Sequence, residues 1–191
     1  VVAGLDQLSL DSARAEELRS AAHEMVRHLE IAEARTRASK RWSAGDHAAA
    51  IAAATQVTRL VPDDGEAWFI RVAATASSRS RDELLSTIQT FVDAGVENDG
   101  LLIGLAEHLS GLVRSPDDPL IEASLSLLDR IRQGRTAAGV ALARARVLAS
   151  ADRWTESLVQ VERALALDPR SAPPLRLRAD VLSWAGRHDD A

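Results

Sequence analysis

At 191 residues with 46% hydrophobic side chains the chain can bury a sizeable core, but only 3% of it is aromatic and it has no Tyr. A net charge of −5 argues against a nucleic-acid partner, whose electrostatic footprint is a basic patch. The absence of Cys excludes disulfides and thiolate metal sites, and no apolar run reaches the roughly 18 residues of a membrane span.

Thirty-five residues are Ala, the best helix former because it has no side-chain entropy to lose. The core must therefore be made of closely approaching helices. Basic residues are almost all Arg, with Lys40 the only Lys, which suggests the coding bias of a GC-rich bacterium and, with the lack of a basic apolar leader at Val1-Val2-Ala3-Gly4, a cytoplasmic protein. The chain opens without Met and stops where another helix is due, as expected of a piece of a longer protein.

In chain order, Asp6 to Leu10 is short and mixed, with Ser9 or Asp11 able to cap a helix beginning at about residue 11. From Ser12 to Ala44 there is neither Gly nor Pro, and Ala15, Leu18, Ala22, Met25, Val26 and Leu29 keep helical spacing. This predicts a helix over 11–29 that covers an open end of the fold and a second over 31–44; one bent helix is the alternative. Gly45 then stops the helix, Asp46 caps the next, and an apolar line from Ala50 to Leu60 runs to Pro62, which cannot donate the next backbone hydrogen bond.

The same layout returns. The turn residues Gly45 and Asp152 each stand 17 positions before a proline, Pro62 and Pro169, and Gly186 lies 34 positions after Asp152. A 34-residue period of helix–turn–helix units predicts a stacked solenoid. The units fall at about 31–64, 65–98, 99–137, 138–171 and, in part, 172–191, after an N-terminal segment of residues 1–30. Pro62 to Pro169 is 107 residues, five more than three periods, and the turn cluster Arg114 to Pro119 is the expected home of the excess. It predicts helices over 100–113 and 118–133 in that unit, closed by Gly134, and helices over 137–150 and 154–167 in the next.

The repeats resemble the tetratricopeptide repeat (TPR) family, whose motif carries Trp at position 4, small residues at 8 and 20, Gly at 15, an aromatic at 17 and Pro at 32. Counting from Ile31 gives Ala38, Gly45, His47, Ala50 and Pro62; from Ala138, Ala145, Asp152, Trp154, Ser157 and Pro169; from Gly65, Trp68 but Leu84 in place of a small residue. Counting from Ala172 gives Ala179, Gly186, His188 and Ala191. The resemblance implies an all-α, right-handed α-solenoid of antiparallel helix pairs with an N-terminal extra helix, whose first helices line a concave groove.

By the same resemblance the groove residues are Arg35, Ser39, Trp42 and Ser43 in the first unit and Glu66, Phe69, Ala73 and Ser77 in the second. They are Leu142, Arg146 and Ser150 in the fourth, and Arg176, Asp180, Ser183 and Trp184 in the fifth. The third unit offers Leu102, Ala106, Leu109 and Ser110. Trp42, Phe69 and Trp184 are the natural anchors for a partner's side chains. Arg35, Arg146 and Arg176 could grip a carboxylate together, or be neutralised by neighbours such as Glu66 and Asp180. Trp68 and Trp154 read as core.

Nothing reads as an enzyme or as a cofactor site. The five His residues are scattered, and neither a metal-binding His pair, a phosphate-cradling glycine loop nor a nucleophile elbow occurs. Asp117-Asp118 and Asp189-Asp190 read as turn and cap residues. The expected function is a scaffold for a protein or peptide partner, with an accessory domain of a larger enzyme or signalling protein as the alternative. Leu177, Val181, Leu182 and Trp184, without their partner helix, also suggest self-association through the C-terminal end.

Overall fold

The computed structural model describes residues 2–78, 80–132 and 136–186, with side chains from residue 14 except 79, 133–135 and 187–191. The described residues form helices α1 (Val2–Ser43), α2 (His47–Leu60), α3 (Gly65–Ser78), α4 (Arg81–Asp93), α5 (Asp99–Ser110), α6 (Pro119–Asp129), α7 (Ala137–Ala149), α8 (Trp154–Leu167) and α9 (Ala172–Trp184). No strand occurs among them. Gly134, His188, Asp189, Asp190 and Ala191 lie outside the described residues.

The order of contacts is that of a solenoid. Each odd-numbered helix touches the next odd-numbered one, from α1 through α9, and each of α1, α3, α5 and α7 packs on the even helix after it. No repeat has a core of its own; apolar surface is buried by stacking. Ala34, Ala38, Ala50, Ala54 and Ala74 are almost wholly buried and let α1, α2 and α3 close on one another.

The turn chemistry is the one the sequence dictates. Gly45 and Gly186 take φ of 73° and 72°, and Asp152 takes 57° in the same slot, a left-handed backbone that Gly adopts freely and Asp tolerates. Asp46 caps α2 through the Ala49 N–H at 3.2 Å, and α2 and α8 stop two residues before Pro62 and Pro169. The five extra residues sit in the connection between Ser110 and Pro119. There Asp118, 6% exposed, accepts hydrogen bonds from the N–H groups of Leu120 and Arg114 and from the Arg81 guanidinium at 2.7 Å.

Two expectations need correction. α1 does not break near Glu30; it is one helix of 42 residues, because nothing between Leu5 and Ala44 removes a backbone donor or favours a left-handed turn. Nor does its first half cover an open end. The side chains from Glu16 to Glu30 are all exposed, and burial starts at Ile31. The N-terminal half projects past the solenoid, touching it where Arg27 donates to the Leu60 carbonyl at 3.2 Å.

The junction of the second and third units also departs from the regular pattern. Among the described residues the backbone of α4 does not come close to that of α5 and lies against α6 instead, while side chains of α4 and α5 share the central core. Leu84 is 2% exposed in the core, where the repeat wants a small residue.

Candidate functional site

The groove residues expected from the sequence lie on the odd-numbered helices α1, α3, α5, α7 and α9. Two of the three candidate arginines are paired. The Arg35 Nε donates to Asp64 at 2.5 Å, and the Asp64 side chain, 5% exposed, also caps α3 through the Ala67 N–H at 2.8 Å. Arg146 on α7 is bridged to Glu107 on α5. Arg176 is exposed, with no ion pair among the described residues. The partners are therefore Asp64 and Glu107, not Glu66 and Asp180, and Arg35 and Arg146 are each held by a carboxylate of their own.

Two of the three aromatic anchors are partly spent on packing. Trp42 is half-buried against the Ala-rich core, with its ring 5.3 Å from His47. Phe69 leans on the central core with its ring 5.7 Å from His108. Burial holds His108 below its ordinary pKa, so this ring is neutral at pH 7. Trp68, as expected, is core: it is 2% exposed, meets Phe91 edge-on at 5.3 Å and donates its indole N–H to the Pro62 carbonyl at 2.7 Å. Ala73 is fully buried and cannot touch a partner.

Trp184 is different. It is 57% exposed, and its ring lies 5.8 Å from that of Trp154. The two indoles wall an open cavity of about 620 Å³ between α7, α8 and α9, with Ala149 and Leu177 as its floor and Arg146, Ser150 and Asp152 on its rim. Trp154 is thus a wall of this cavity rather than pure core. At the other end of the face, Arg35, Ser39, Ser43 and Glu66 border a shallow polar cavity of about 430 Å³. Ser77 is exposed, with its hydroxyl donating to the Ala73 carbonyl; Leu142 and Asp180 are half-buried.

The groove positions expected for the third unit are one residue out of register. Leu102, Ala106 and Leu109 are at most 1% exposed and Ser110 is 9% exposed, so all four belong to the core. Counting 34 on from Gly65 starts this unit at Asp99 and puts Ile103, Glu107, Ser110 and Gly111 at the groove positions. All but Ser110 are accessible, and the period alone is the signal that finds them.

Leu177, Val181 and Leu182 are 9%, 0% and 3% exposed, which leaves Leu175 and Trp184 as the large exposed apolar side chains of α9. The apolar terminal face expected from the sequence is correspondingly small. Among the described residues no cluster of three or more metal-ligating side chains occurs, and no helix is long and apolar enough to cross a membrane.

No protein-family model matches the chain, and no curated protein matches it significantly. Solved structures do. A crystal structure of MamA is similar at a TM-score of 0.56 and 15% identity, over 84% of this chain and 85% of that one. Another MamA structure, from MSR-1, gives 0.52 and 18% identity over 84% and 90%. YrrB, a TPR protein with an unusual peptide-binding site, gives 0.49 and 16% identity over 80% and 76%. With the stacked helix pairs and the recurring turn residues, the fold of this chain is a TPR-like all-α solenoid.

Proposed function

We propose that the chain is a non-catalytic interaction scaffold that seats a peptide or partner helix on the face of its odd-numbered helices, within a larger bacterial, cytoplasmic protein. The observation that carries this reading is the Trp154–Trp184 cavity. Exposed indoles beside an apolar floor are how a few side chains come to hold most of an interface's binding energy.

The charge pattern says what kind of ligand fits. Arg146 is already neutralised by Glu107 and Arg35 by Asp64, so an acidic ligand would have to displace a carboxylate that is in place. The cavity therefore favours an apolar or aromatic side chain, with Ser150 and Asp152 left to hydrogen-bond the ligand's backbone and fix its register. Among the described residues, self-association through the α9 end would draw on Leu175 and Trp184.

The test is a randomised peptide library displayed against the 191-residue chain, with selected peptides titrated by Trp fluorescence. Selected sequences should share a large apolar residue, and Trp184→Ala should weaken them by about 2 kcal/mol or more, the scale of an interface hot spot. Selected peptides that bind Trp184→Ala as tightly as the native chain would refute this site.

A further inference from the structure

We infer that the chain binds a phosphate monoester in a cavity of about 190 Å³ between α6, α7 and α8. Arg132, Arg144 and Arg163 line it from three parts of the chain: the residues after α6, the middle of α7, and α8. Leu128, Ile131 and Val140 form apolar walls between them. Arg144 and Arg146 stand about 200° apart around α7. The Trp154–Trp184 cavity, which Arg146 borders, therefore lies on the other side of that helix.

The charges around this cavity point to the ligand. The chain as a whole is acidic, at −5, yet here three guanidiniums meet one carboxylate, Asp129, which leaves +2 on the lining. Asp129 is bridged to Arg144, whose side chain is 25% exposed. Arg132 comes within 3.7 Å of Glu97, but those side chains are 90% and 80% exposed, and a solvated pair at that separation holds neither group in place. The remaining charged neighbours are engaged elsewhere. Asp99, beyond Arg132 on the wall of the adjoining cavity, accepts from the Thr136 hydroxyl at 3.0 Å, and Arg130 donates to the Val92 carbonyl at 2.8 Å. Glu162, next to Arg163 in sequence, is taken by Arg178 at 2.8 Å. Arg163 itself is in no ion pair among the described residues. A concave site with apolar walls focuses the field of such uncompensated charge.

A lining of +2 matches a phosphate monoester, which carries about −1.5 to −2 at pH 7, better than it matches a carboxylate. Guanidiniums also take phosphate oxygens through paired hydrogen bonds, with a geometry that Lys lacks. At about 30 Å³ per water molecule the cavity has room for about six. It accommodates the phosphate and a few atoms of its carrier against Leu128, Ile131 and Val140, but not a nucleotide. The carrier is a small molecule or a modified side chain, and the recognised group is the same in both.

The test is calorimetric titration of the 191-residue chain at low salt with inorganic phosphate, O-phosphoserine and acetate. The two phosphates should bind with a Kd of about 1 mM or tighter and acetate at least about tenfold more weakly. Arg163→Gln should weaken O-phosphoserine about tenfold, the scale of one hydrogen bond to a charged group. Asp129→Asn should tighten it at least about threefold, because it removes the resident competitor for Arg144. Arg37→Gln, which deletes the same charge from an exposed position on α1, should leave the Kd within about twofold. Circular dichroism checks that each variant keeps its helicity. A native chain that binds neither phosphate at about 10 mM overturns the inference. So does an Arg37→Gln effect as large as that of Arg163→Gln, or an Asp129→Asn variant that binds no better than the native chain. A short peptide bearing phosphoserine separates the sources. If it binds as O-phosphoserine does, the site reads a modified side chain; if only the free amino acid binds, the site takes a small molecule, and either result supports the site.

Discussion

Asp118 is the residue whose removal should show most plainly how the irregular third unit is held. Its carboxylate is 4% exposed and serves three donors: the Leu120 N–H as the α6 cap, the Arg114 N–H of the preceding loop, and the Arg81 guanidinium on α4. Asp118→Ala removes a cap, about 1 kcal/mol, and a buried hydrogen bond to a charged group, about 2 kcal/mol. The total of about 3 kcal/mol is a large share of the roughly 5–15 kcal/mol by which domains are stable. Asp118→Asn keeps the cap and should lose about half. Its neighbour Asp117 is exposed, and Asp117→Ala should stay within about 0.5 kcal/mol of the native chain. Urea unfolding monitored by circular dichroism at 25 °C separates the three. If Asp118→Ala costs less than about 1 kcal/mol, or no more than Asp117→Ala, the loop is not held as argued.

Three further outcomes rest on particular residues. Asp152 sits at φ 57°, so Asp152→Gly should hold or raise the urea midpoint, and Asp152→Val, branched at Cβ, should lower stability by about 1–2 kcal/mol; the reverse order would contradict a left-handed turn. Motif position 20 is Ala50, fully buried, in one unit and Leu84, 2% exposed, in the next. Ala50→Leu should cost about 1–3 kcal/mol by overpacking and Leu84→Ala about 2–5 kcal/mol by leaving a cavity, both read as shifts in the urea midpoint. His108 is depressed by burial from 6.5, and its Nε2 finds no partner among the described residues. The unfolded chain therefore takes up that proton first, so stability is intact above pH 6.5 and falls as the pH drops through the folded-state value. His108→Gln should flatten the decline in urea midpoint between about pH 7.5 and 5.5, and an unaltered slope would remove His108 as its source.

What the sequence reveals here depends on how local the cause is. Gly45, Asp46, Pro62, Asp152 and Pro169 act on their own backbone, so the repeat boundaries can be read from residue identity alone. The apolar line of α1 is equally visible as spacing, but spacing does not say whether a helix folds back to cover its neighbours or carries on. That is decided by which later side chains find the solenoid, and Ile31 is the first that does. Leu84 is visible as a misfit, but that the backbone of α4 lies against α6 rather than α5 depends on packing across three helices and is not written in any one residue. The groove of the third unit is legible from the period, but the apolar pattern of Leu102, Leu105 and Leu109 draws attention to the core face one residue away.

Trp154 and Trp184 show why the candidate site is harder to read than the fold. A Trp at motif position 17 ordinarily closes the turn between the helices of its own unit, and a Trp late in a first helix ordinarily faces outward, so each has an adequate explanation alone. They become one feature because the two indoles stand 5.8 Å apart beside a cavity that Leu177 and Ala149 also line. The groove arginines go the other way: of three candidates that share a pattern in sequence, Arg35 and Arg146 are held by partners of their own, since Asp64 is fixed as the cap of α3 and Glu107 by the register of α5. A single neutral ligand anchor suits this arrangement better than a charged clamp, because the positive charge of Arg35 and Arg146 is committed within the chain before any ligand arrives.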